Sequence, residues 1–97
     1  MYVIFSIPKE KKSKADELLK DDLVSRQSII IRECTALGMK DLDLLVLIEG
    51  SEAAVKHARE LFKETGKPLE GPQAADAYDR FRKESDDVAS GVGLLFG

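Results

Sequence analysis

The chain has 97 residues, 43% of them hydrophobic, which makes one domain spanning residues 1–97 around a modest core. Its 15 basic and 18 acidic side chains are interspersed, for a formal net charge of -3. With no Lys/Arg stripe and only 6% aromatic residues, a nucleic-acid surface is not expected, because that needs clustered cations and stacking platforms.

The first run, YVIFSI at residues 2–7, is β-branched and aromatic and predicts a strand. Val3, Phe5 and Ile7 share one face; Tyr2, Ile4 and Ser6 share the other. Pro8 ends it, having no N–H for the ladder. Ser13 with Asp16 three residues on resembles a capping pattern. It opens a helix over by about Ser25, with room to start as early as Lys9 because no breaker follows Pro8, and with Ala15, Leu18, Leu19 and Leu23 as its apolar stripe.

Residues 28–50 organise the rest of the chain. Two extended runs, residues 29–37 and 42–49, are joined by a polar connection at 39–41. In the second run Leu42, Leu44, Val46 and Ile48 alternate with Asp43, Leu45, Leu47 and Glu49. A strand apolar on both sides in its middle is central and covered on both faces. The first run carries Arg32 and Glu33 on opposite faces, which suits an edge.

Ser51 caps a second helix whose stripe is Ala54, Val55, Ala58, Leu61, Phe62 and Thr65, with Gly66 as a left-handed terminator. The connection KPLEGP, residues 67–72, is rich in breakers. Pro72 starts a third helix with a thin stripe of Ala74, Ala77, Tyr78, Phe81, Ser85 and Val88. Residues 91–97, GVGLLFG, read as a short final strand. Without the third helix the order is βαββαβ, an α/β (α+β) pattern that resembles the ferredoxin-like split arrangement. The expected fold is therefore ferredoxin-like or a variant, with an additional helix before a short C-terminal strand.

Chemistry is sparse. Cys34, the single cysteine, excludes an internal disulfide and points to a reducing compartment. As a nucleophile it needs a base or a positive field nearby, and its plain reading is a small buried hydrophobe. His57 stands between Lys56 and Arg59 with no second His or Cys at helical ligand spacing, so it reads as a boundary residue. Glu33, Asp41, Asp43 and Glu49 crowd the hairpin, and the plain reading is solvated acids. Gly66-Lys67 and Gly91-Val92-Gly93 lack the spacing of phosphate-binding loops. At residues 49–52 the acids flanking Gly50-Ser51 oppose an anion, leaving Ser51 as a self-cap. The stretch GSEAAVKHA, residues 50–58, resembles a turn-helix segment of bacterial microcompartment shell proteins, without the rest of that family's pattern, and no residue role follows from it. No cofactor and no metal site are expected. The first residues lack the form of a signal peptide, and no apolar run approaches the roughly 20 residues of a membrane span. A cytoplasmic location is the corresponding expectation.

One collective feature remains. Tyr2, Ile4, Leu45 and Leu47 line the sheet face opposite the first two helices, and the third helix has little apolar surface to cover them. Apolar patches of that kind are seldom left wet, so the sequence predicts a homodimer through this face. The functional expectation is a non-enzymatic binding or regulatory domain that self-associates through its sheet and takes a small molecule or protein. The alternative is a small enzyme with an interfacial active site using Cys34, His57 or the hairpin carboxylates.

Overall fold

The computed structural model describes residues 1–38 and 43–96, with side chains through residue 83. Its elements run β1 (Tyr2–Ile7), α1 (Lys12–Leu18), β2 (Ser28–Glu33), β3 (Leu44–Glu49), α2 (Glu52–Leu61), β4 (Lys67–Pro68) and α3 (Gly71–Phe96). The four strands form one antiparallel sheet in the order β2-β3-β1-β4. β1 and β3 hold its centre, paired from Tyr2 opposite Glu49 to Ile7 opposite Leu44. That place follows from composition, since Leu44 to Ile48 are all buried and only the terminal Glu49 is part-exposed. β2 lies at the edge, where Arg32 and Glu33 face water and its three isoleucines are half-covered.

The sheet is covered on both sides. On one, Val3, Phe5, Ile7, Val46 and Ile48 pack with Val55, Ala58 and Phe62 around α2, with Phe5 stacked on Phe62 at 4.8 Å between ring centres. On the other, Ile4, Leu45 and Leu47 pack with Ala77 and Phe81 of α3 and with Cys34 and Leu37. Tyr2 stacks on Tyr78 at 4.1 Å, and the Tyr78 hydroxyl donates to Glu49 at 2.6 Å. Arg80 secures the same helix: its guanidinium donates to Asp76 at 3.0 Å and to the Leu37 carbonyl at 2.8 Å.

Several expectations are corrected. The face of Tyr2, Ile4, Leu45 and Leu47 is not open: the last three are 1%, 1% and 3% exposed beneath α3 of the same chain. The stripe is thin, but Ala77 lets the helix approach closely while Phe81 fills the space, and Leu69, Cys34 and Leu37 complete the cover. The final strand expected at 91–97 is also absent; residues 91–96 continue α3, and residue 97 lies outside the described residues. The fourth strand instead precedes that helix. Pro68 holds Lys67 extended, the pair lies opposite Phe5 and Ser6, and the Leu69 N–H donates to the Ile4 carbonyl at 2.8 Å, so the free edge of β1 is taken. Gly71, at φ 56°, turns the chain into α3.

Local corrections have equally local causes. α1 ends at Leu18, and the turn that follows exposes Leu23 while burying Val24 in its stead. The run at residues 29–37 stops as a strand at Glu33; Cys34–Leu37 is a 3-10 turn closed by Gly38 at φ 75°. The expected connection at 39–41, Asp41 included, lies outside the described residues.

Candidate functional site

A cleft forms where β1 ends against the turn between α2 and β4. Its position follows from a close approach. A Cβ on Gly66 would stand 2.8 Å from Ile7 Cγ1 and 3.1 Å from the Ser6 carbonyl, so only glycine lets this turn lie flat on β1. Gly66 is not left-handed, as the helix-terminator reading required; positive φ occurs at Gly38 and Gly71. Ser6 and Lys67 are cross-strand partners, so their side chains leave the sheet on the same side. Ser6 Oγ donates to Asp43 Oδ2 at 3.2 Å, and Lys11 Nζ donates to the Glu64 carbonyl at 3.1 Å, tying the segment after β1 to the segment after α2.

The resulting space, about 280 Å³, is lined by Ser6, Lys11, Asp43, Lys63, Thr65 and Lys67, with Pro8, Glu64 and Gly66 completing the wall. Among the described residues, the Lys63 and Lys67 ammoniums carry no ion pair or hydrogen bond. Thr65 is 6% exposed, and its hydroxyl has no hydrogen-bond partner among the described residues. A buried hydroxyl left unsatisfied costs about 1–3 kcal/mol. The lining therefore offers two uncommitted cations, a buried donor and the Ser6-supported carboxylate of Asp43. That set can orient a small polar molecule. It contains no imidazole or thiol to drive nucleophilic chemistry.

The residues singled out from sequence are not brought together. Cys34 is 1% exposed in the second core, in a 3-10 turn rather than a strand, and its N–H donates to the Asp43 carbonyl at 3.0 Å. A thiol reagent added to the native protein is expected to modify Cys34 only as fast as the fold opens, and rapidly in denaturant. Fast stoichiometric labelling without denaturant would contradict this burial. Tyr2, Ile4, Leu45 and Leu47 belong to the core beneath α3. Of the hairpin acids, Glu33 is exposed with Lys9 at 3.9 Å, Glu49 accepts from Tyr78, and Asp43 alone reaches the cleft. Asp43 and Glu49 flank opposite ends of β3, roughly 20 Å apart at about 3.4 Å per residue. Asp41 lies outside the described residues.

His57 has a different employment. Its Nε2 stands 3.0 Å from Asp21 Oδ2, an oxygen that also accepts the N–H groups of Leu23 at 3.1 Å and Val24 at 3.2 Å. The hydrogen bond from His57, ahead of that from Val24, holds the Asp21 carboxyl below the usual aspartate range. A depressed folded pKa contributes stability that is fully present above the unfolded value, about 3.9. That contribution is lost as pH falls through the lowered folded value. Asp21→Asn is therefore expected to flatten the acid limb of a plot of urea midpoint against pH below about pH 4. An unchanged acid limb would contradict the pin.

Sequence reasoning missed most of the cleft. Thr65 carried a usable signal, as the one polar residue on the stripe of the second helix. Lys11, Lys63 and Lys67 carried none, because nothing in their spacing shows that β4 closes against β1. Among the described residues no three His, Cys, Asp or Glu side chains are grouped to hold a metal ion, and no helix is long and apolar enough to cross a membrane. Compared with known proteins, the chain matches no family model, no curated protein and no solved structure.

Proposed function

We propose that this chain is a non-enzymatic binding module whose small-molecule site is the cleft at the end of β1. The observation that carries the reading is the Thr65 hydroxyl, on a residue 6% exposed and without a hydrogen-bond partner among the described residues, in the wall of a recess of about 280 Å³ that the exposed Lys63 and Lys67 also line. Proteins seldom leave a buried hydroxyl without a partner, and a ligand supplies one. The fold is read as ferredoxin-like with α3 appended. This is supported by the order β2-β3-β1-β4, which from the other edge is 4-1-3-2, and by one helix in each crossover, β1 to β2 and β3 to β4. A cytoplasmic setting is supported by the buried thiol of Cys34, the chain's single cysteine. Self-association through Tyr2, Ile4, Leu45 and Leu47 forms no part of the reading, since α3 lies on that face. The binding reading is preferred to the enzyme alternative because Cys34 is buried, His57 is engaged by Asp21, and the described hairpin acids Glu33, Asp43 and Glu49 have separate surroundings.

A thermal-shift screen of common metabolites tests the proposal. A ligand held at 100 times its Kd stabilises the native state by about 2.7 kcal/mol. The expected result is a shift from at least one compound that disappears in the Lys63→Glu/Lys67→Glu double variant. A ligand that stabilises this variant as much as the parent would place binding elsewhere.

A further inference from the structure

We infer that the cleft takes a small oxyanion, a phosphate or carboxylate group borne on a short hydroxylated carbon skeleton, with the Thr65 hydroxyl donating to an oxyanion oxygen beside the Lys63 and Lys67 ammoniums. The inference rests on the reading of this cleft as the ligand site and names its ligand chemistry. Thr65 is the observation that points to a bound polar group, and Lys63 and Lys67 in the same lining make that group an anion. Among the described residues Thr65 is the one buried polar side chain, its hydroxyl has no protein partner, and it stands in the wall between this cleft and a neighbouring space bounded by Lys14 and Glu60. The other described residues with a hydroxyl or carboxylate are more exposed, whereas Thr65 is 6% exposed, which leaves its hydroxyl little access to water.

The two lysines supply the complementary charge. Each ammonium offers three rotatable donors and grips an oxyanion as a point charge, without the planar geometry an arginine would demand. Lys11 is different, being committed to the Glu64 carbonyl, so it braces the wall. Among the described lining residues, Lys11, Lys63 and Lys67 outnumber Asp43 and Glu64 by one charge, on a chain whose net charge is -3. That excess suits a small anion and is far short of a polyanion groove. Asp43 then defines the rest of the ligand. One of its oxygens accepts from Ser6, and as a carboxylate it can only accept, so what lies beside it must carry donors. Hydroxyl groups meet that need. The cleft is at the small end of ligand sites, which favours a short skeleton over a nucleotide.

The test uses the full chain labelled with nitrogen-15, titrated separately with inorganic phosphate, glycerol 3-phosphate, malate and glycerol. Glycerol 3-phosphate or malate should move the amides of Ser6, Thr65, Gly66 and Lys67 saturably. Whichever binds more tightly identifies the oxyanion as phosphate or carboxylate, and either supports the inference. Thr65→Val keeps the shape and removes the unpaired hydroxyl. It should melt at or above the parent's temperature while binding at least tenfold more weakly. Binding unaltered in that variant overturns the inference, as does glycerol binding as tightly as its phosphate. Silence from all the oxyanion probes overturns it too. In that event a neutral or cationic metabolite that still shifts the cleft amides would preserve the binding-module reading, and no shift from any compound would remove both.

Discussion

Replacing Phe81 by alanine is expected to cost about 3–5 kcal/mol of folding free energy, the range for deleting a buried aromatic ring. Phe81 is 1% exposed and, with Ala77 and Tyr78, joins α3 to Ile4, Leu45 and Leu47. A domain of this size has roughly 5–15 kcal/mol in total, so the substitution removes a large share. Its second consequence follows from the same contacts. With α3 loosened, the central leucines are uncovered, and an uncovered apolar sheet face associates. The variant should show a much lower urea midpoint and bind a hydrophobic dye that the parent ignores, while Phe81→Leu recovers most of the loss. A cost below about 1 kcal/mol would mean that the ring does not seal the sheet.

Gly66→Ala is the second large effect. The new Cβ meets Ile7 Cγ1 at 2.8 Å and the Ser6 carbonyl at 3.1 Å. Neither neighbour yields easily: Ile7 is wholly buried in the first core, and the carbonyl belongs to a central strand. Overpacking of this kind costs about 1–3 kcal/mol. The turn must also lift from β1, separating Thr65 and Lys67 from Ser6 and Asp43. Stability and ligand binding should therefore fall together, by denaturation and by titration with the same ligand. An alanine variant as stable as the parent would refute the close approach that builds the cleft.

The parts of this fold that the sequence revealed are those whose residues see one environment. β3 is apolar on both sides because both sides are covered, so its central place could be read from Leu44 to Ile48 alone. α2 was legible for a similar reason: Ser51 accepts the Ala54 N–H at 3.2 Å, and Ala54, Val55 and Ala58 are buried at helical spacing. β4 was not, since two residues carry no periodicity and only the edge of β1 makes them a strand. The covered second face was misread because its lid is composite. Phe81 and Ala77 come from α3, Leu37 and Cys34 from a 3-10 turn, and Leu69 from a linker, and no single stripe displays them together. The cleft was hidden by the same logic, its cations coming from three segments that meet only once β4 has paired.

One chain closes its own sheet with α3, and the proposed recognition site is the cleft at the end of β1. Amide hydrogen exchange at Ile4, Leu45 and Leu47, measured across a hundredfold dilution series, tests this most directly. Protection arising within one chain, from the strand ladder beneath α3, is independent of protein concentration, and that is the expected result. Protection of these three amides that falls away on dilution would show that a second copy covers the sheet face, in contradiction of the fold described here.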